Sequence, residues 1–153
     1  MKLRILIACG VLLSACASNP SGDTAVSTAT GTDTASLPAQ TLAPGTCGLF
    51  LWTQDEPRRF ILFYPAGAGA ADAILDGGKT KLTVESRGGD IFSQFMTEMK
   101  FRSAEGTPVD LTLQPGDRVE GGRRVPSARM ISQNAEGWEI ITPLAGLTAC
   151  QPE

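Results

Sequence analysis

The chain has 153 residues, with 13 basic and 16 acidic side chains, no histidine and four cysteines, and 42% of it is hydrophobic. One modest globular domain fits this composition; 19% charge and a mean hydropathy near zero exclude a polytopic membrane protein and a fully disordered chain, and an isoelectric point near 5.0 argues against a nucleic-acid binder. Without histidine the commonest general base and metal ligand is missing, so no cofactor or metal is expected.

The first element is an export signal over residues 1–15. Met1-Lys2-Leu3-Arg4 supplies a basic start, Ile5 to Leu13 an apolar run, and Ser14-Ala15 the small residues a signal peptidase accepts. The run is too short for a membrane span, which needs about twenty helical residues. Leu13-Ser14-Ala15-Cys16 resembles the lipobox of bacterial lipoproteins, matching it at all four positions. The resemblance implies a mature chain beginning at Cys16, with acyl chains on its thiol and its amine that hold it durably to a membrane. Residue 17 is alanine and not aspartate. In the enterobacterial sorting pattern that implies the outer membrane, with the protein facing the periplasm.

Residues 16–46 read as the lipidated cysteine and a flexible tether. Ser, Thr, Ala, Pro and Gly dominate the segment, Asp23 and Asp33 are its charges, and Val26, Leu37 and Leu42 are isolated larger apolar residues. Such a composition buries too little surface to offset its ordering entropy. A coil of that length would reach about 30 Å.

The folded domain is expected over residues 47–153. Cys9 leaves with the signal and Cys16 carries lipid, so Cys47 and Cys150 are the thiols left in an oxidising compartment, and a disulfide between them is the economical assignment. Two free or metal-binding cysteines are the alternative. Short apolar runs follow, separated by turns: Gly48 to Thr53, Arg59 to Pro65, Ala71 to Leu75, Lys79 to Ser86, Ile91 to Arg102, Val109 to Leu113, Arg129 to Gln133 and Trp138 to Thr142. Asp76-Gly77-Gly78-Lys79, Arg87-Gly88-Gly89-Asp90 and Glu120-Gly121-Gly122-Arg123 place Gly-Gly pairs where tight hairpins need positive φ, and Gln114-Pro115-Gly116-Asp117 adds another turn. The pattern predicts an all-β fold, a small antiparallel barrel or sandwich of about eight strands.

Residues 91–101 fit two periods. Phe92, Phe95, Met96 and Met99 have helical spacing, whereas Ile91, Phe95, Met99 and Phe101 share one face of a strand. A strand is favoured because Gly88-Gly89 would link it to the preceding run as a hairpin, with a short helix as the alternative. Phe60 to Tyr64 is apolar on both faces and predicts a strand covered on each side. Phe50, Trp52, Phe60, Leu62 and Trp138 are the first core candidates.

Candidate chemistry is sparse, and no catalytic residue is assigned. Pro65-Ala66-Gly67-Ala68-Gly69-Ala70-Ala71 lacks the third glycine and the following helix of a dinucleotide loop and reads as a loop. Asp55 and Glu56 precede Pro57-Arg58-Arg59 and read as a solvated corner with local ion pairs. A Ser-Lys dyad stays formally open through Lys79, Lys81 or Lys100, but no spacing singles out a serine. Arg58, Arg59, Arg123 and Arg124 would form an anion-binding patch if their loops converge; the competing reading is two solvated strand ends.

Over roughly half of the folded region, the order of elements looks like that of the periplasmic membrane-bound lysozyme inhibitors. Phe60-Ile61-Leu62-Phe63-Tyr64, Ala73-Ile74-Leu75-Asp76-Gly77-Gly78, Leu82, Gly88-Gly89-Asp90-Ile91-Phe92 and the Gly106 to Leu113 strand carry the likeness. It implies a small lipid-anchored β-barrel with a disulfide. The family's inhibitory motif is a Ser-Gly-x-x-Tyr loop, and Gly88 to Phe92 stands in its place with neither the serine nor the tyrosine. Taken together, the expectation is a lipid-anchored, non-enzymatic β-domain that binds an envelope protein or glycan. An inhibitor of lysozyme or of a secreted protease is the first alternative, and a small hydrolase without histidine the second.

Overall fold

The computed structural model describes residues 35–153; the expected signal (1–15), Cys16 and residues 17–34 of the expected tether lie outside the described residues. Nine strands follow: β1 (Cys47–Thr53), β2 (Phe60–Pro65), β3 (Ala70–Leu75), β4 (Gly78–Phe92), β5 (Phe95–Ser103), β6 (Pro108–Gln114), β7 (Arg118–Val119), β8 (Gly122–Gln133) and β9 (Glu139–Cys150). Each strand from β1 to β5 pairs antiparallel with the next; β8 lies against β6, β9 against β8, and β9 against β1. Eight strands therefore close into an up-and-down barrel, with β7 added alongside the start of β8. Closure pairs both edges of the sheet, so of the expected barrel or sandwich the chain forms the barrel.

The barrel has two rims. Cys47 and Cys150 mark one, the disulfide rim, together with the β2–β3, β4–β5 and β6–β8 connections. The far rim carries the β1–β2, β3–β4, β5–β6 and β8–β9 connections.

Eight strands leave an interior just wide enough to be filled by side chains. In β5 and β6 every second residue is buried, which turns Phe95, Met99 and Phe101 and then Val109, Leu111 and Leu113 inward. The Tyr64 ring centre lies 5.7 Å from those of Phe95 and Phe101. Five consecutive residues of β2 are buried, Phe60 to Tyr64, as its two-sided apolar pattern predicts.

The outer cover of β2 comes from a segment assigned above to the tether. Leu37 is buried, its backbone N–H donates to the Phe60 carbonyl at 2.7 Å, and the Phe60 N–H donates to the Ser36 hydroxyl at 3.1 Å. Leu42 closes with Phe50 and Phe63 over the bare Cα of Gly48. The packed domain thus begins by Ala35, which corrects the boundary at 46. An isolated leucine in a polar segment carries no periodicity, yet burying one contributes about 1.5–3 kcal/mol when an apolar face awaits it.

That face is an aromatic layer outside the barrel, where Trp52 and Phe60 stack with ring centres 4.9 Å apart and Phe50 lies 5.0 Å from Phe63. Phe60 and Leu62 are core residues as expected, whereas Phe50 and Trp52 are only half-buried in this layer. Trp138 is 72% exposed and is not a core residue. It sits at the β8–β9 connection, beyond the point where β1 and β6 can cover it.

Residues 91–101 form neither a helix nor one strand. β4 ends at Phe92, Ser93 and Gln94 make the turn with Ser93 at φ 56°, and β5 starts at Phe95. Phe92 pairs directly with Phe95 across this turn, so both point inward, and the hairpin imitates the helical spacing. Gly88-Gly89 is accordingly not a hairpin turn. It forms an irregularity inside β4, where the register slips between Gly88 and Ile91 and the Asp90 N–H is held by the Thr97 hydroxyl at 2.8 Å. Bulges of this kind bend a long strand around a barrel. Asp76-Gly77 and Glu120-Gly121 do form the expected turns, with Asp76 and Gly77 both at positive φ.

Candidate functional site

With the barrel axis filled by side chains, binding surface has to come from the outer face and the rims. A groove of about 520 Å³ lies on the outer face of β1, β9 and β8. Its floor is Ala145, Gly146 and Leu147 of β9. Trp52 lies directly opposite Ala145 on one flanking strand, and Arg124 lies opposite Leu147 on the other. Gly146 has no alternative here, because a Cβ would run into the Phe50 carbonyl. Small residues in the middle strand leave the trough, and larger side chains on its neighbours make the walls. Val119 of β7 and Pro126, at the bulge in β8, complete the far wall.

Two of the four candidate arginines meet at this groove. Arg58 enters from the β1–β2 connection and Arg124 from β8. Arg58 lies 3.8 Å from Glu56 with both side chains well exposed, an arrangement that solvent screens heavily. Among the described residues, Arg124 has no salt-bridge or hydrogen-bond partner for its guanidinium.

The other two arginines are turned elsewhere, so the four do not form a single patch. Arg59 pairs with Asp55 at 3.0 Å beside the mouth of the barrel at the far rim. Arg123 donates to the Gly116 carbonyl at 3.0 Å and holds its guanidinium 4.8 Å from the centre of the buried Phe92 ring, at the disulfide rim. Adjacent residues of a strand face opposite ways, and this separates Arg123 from Arg124.

The Thr53 hydroxyl and the Arg59 guanidinium hold the Asp55 carboxyl below its ordinary value of 3.8. Lys79 and Lys81 both approach Asp72, at 4.0 and 3.1 Å. Cys47 and Cys150 are joined in a disulfide with an S–S distance of 2.03 Å. Cys16 lies outside the described residues.

An indole, two guanidinium groups and an apolar floor suit an anionic group carried on an apolar body. Of these residues only the arginines stand out in the sequence as a site. Trp52 reads there as core, and Val119, Pro126 and Leu147 carry no signal of their own. The cue that could have located the groove is Ala145-Gly146, a pair of small residues in the middle of a strand.

No protein-family model, curated protein or solved structure matches the chain.

Proposed function

We propose that the chain is a lipid-anchored lipoprotein of the cell envelope whose β-barrel is a non-enzymatic binding module. The observation that carries this reading is the lipobox Leu13-Ser14-Ala15-Cys16, placed directly after a basic start and an apolar run too short to span a bilayer. Ala17, where an aspartate would favour inner-membrane retention, supports an outer-membrane location facing the periplasm. The partner is an envelope protein or glycan, and its anionic group binds between Arg58 and Arg124 while its apolar part covers Trp52 and Leu147.

Binding is favoured over inhibition of lysozyme by the surroundings of Gly88 to Phe92. This stretch runs inside β4 with Phe92 fully buried, whereas an inhibitory loop has to be presented to an enzyme cleft.

Replacing the lipidated residue tests the anchor. The Cys16→Ser protein is expected in the soluble fraction and the wild type in the membrane pellet; equal sedimentation of both contradicts lipid anchoring. Recovery of envelope partners by crosslinking tests the groove. Arg124→Glu is expected to lose the crosslinked species without a change in melting temperature, since Arg124 is exposed.

A further inference from the structure

Three of the five exposed large hydrophobic side chains among the described residues share one hairpin: Trp138 at 72%, Ile140 at 40% and Ile141 at 55% exposure. The hairpin lies at the far rim. Pairing of β9 with β1 stops at Leu144 opposite Thr53 and pairing of β6 with β8 stops at Ile131, so residues 132–142 run past the last rungs of the barrel; Ser132 and Ile140 border its mouth, and Trp138 and Ile141 are left open to solvent. The tip is held in one shape. Asn134 and Trp138 are joined through the Asn134 N–H at 3.0 Å, and the Asn134 side-chain carbonyl accepts from the Glu136 and Trp138 N–H groups at 3.1 and 2.8 Å. Exposed apolar side chains on a fixed hairpin are costly in water unless something covers them.

The chain itself indicates what covers them. Ala35 to Leu37 join the domain beside Phe60, the first residue of β2, and Phe60 follows the β1–β2 connection on this same far rim. Residues 17–34 lie between that point and Cys16, and even fully extended they reach no more than about 65 Å. A lipid on Cys16 would therefore tether the domain from its far-rim side. Tryptophan is the side chain that best suits the boundary between headgroups and acyl chains.

We infer that the β8–β9 hairpin is a membrane-contact element, in which Trp138 and Ile141 enter the interface of the bilayer that holds the lipid anchor. The inference rests on the lipoprotein reading for its geometry. Glu136 and Glu139 flank Trp138, so the hairpin matches a zwitterionic surface and is repelled by an anionic one.

The test separates the contact from the anchor. The chain from Cys16 onward, with Cys47 and Cys150 bonded, has one free thiol. It is coupled through that thiol to a maleimide lipid in phosphatidylcholine vesicles whose acyl chains carry bromine, a quencher of tryptophan emission. Quenching is expected in the wild type, is lost in Trp138→Phe, where Trp52 alone emits, and weakens when phosphatidylglycerol is added. Unchanged wild-type emission on floated vesicles overturns the inference, as does equal quenching in Trp138→Phe or a Trp138-dependent dimer in place of quenching. Chemical coupling supplies the anchor here, so a failure of natural lipidation shows only in the Cys16→Ser fractionation.

Discussion

Cys47 and Cys150 are direct partners across the seam where the first strand of the barrel meets the last, with their Cα atoms 4.0 Å apart. The disulfide joins residues 103 apart in sequence at the place where circular closure brings the chain ends together. In the chain-entropy picture, a closed loop of this length stabilises by about 4–5 kcal/mol. The Cys47→Ser, Cys150→Ser double variant is expected to melt roughly 10 °C or more below the wild type. Thiol reduction should lower the wild-type melt similarly and leave the variant unmoved. Equal melts of the wild type and the variant would show that the seam needs no covalent closure.

Tyr64 and Arg87 form a second fixed point. The buried Tyr64 hydroxyl donates to the Ala68 carbonyl at 3.0 Å and accepts from the Arg87 guanidinium at 2.6 Å, while Arg87 itself reaches Ala68 at 2.9 Å. Tyr64→Phe should cost about 1–2 kcal/mol in denaturant unfolding. Arg87→Ala should add less to that variant than it costs alone, because the two residues share one network. Full additivity would mean the contacts are independent.

Gly146 is required by backbone approach. A Cβ there would meet the Phe50 carbonyl, so Gly146→Ala is expected to cost about 1–3 kcal/mol. Gly69→Ala is the control: nothing lies within 4 Å of its Cβ position and its φ is ordinary, so its stability should stay within about 0.5 kcal/mol of wild type. Equal melts for the two variants would remove the steric reading of the groove floor.

Asp55 sets a pH dependence. Its carboxyl sits below its ordinary value of 3.8 through the Thr53 hydroxyl and then Arg59. A depressed carboxyl contributes stability above its unfolded value and loses it as pH falls through the folded value. The melting-temperature gap between wild type and Asp55→Asn should therefore be constant above about pH 5 and shrink below about pH 4. A gap that persists unchanged to low pH contradicts this pairing.

Much of the fold was legible from residues with local meaning. Asp76-Gly77 announces its turn because two consecutive positive φ values favour such a pair, and the alternation of β5 and β6 announces an inward face. What escaped the sequence was set by tertiary context. Ser93-Gln94 turns the chain without a glycine, while Gly88-Gly89 bends a strand that continues through it. Strands β8 and β9 run through Pro126 and Pro143, each a breaker by local rules, because a bulge between Val125 and Ala128 absorbs the first and the second sits opposite Arg129 in regular pairing. Leu37 looks like tether until the aromatic face of Phe60 is there to receive it. The arginine pairs were visible, but the facing that brings Arg58 to Arg124 and sends Arg59 and Arg123 elsewhere depends on strand register.

The most direct test of the lipoprotein reading is the intact mass of the mature protein purified from membranes. The predicted result is a chain that starts at Cys16, carries a diacylglycerol on its thiol and an acyl group on its amine, and is two hydrogens lighter for the Cys47–Cys150 bond. A chain that retains residues 1–15, or one that begins with an unmodified residue, would contradict it.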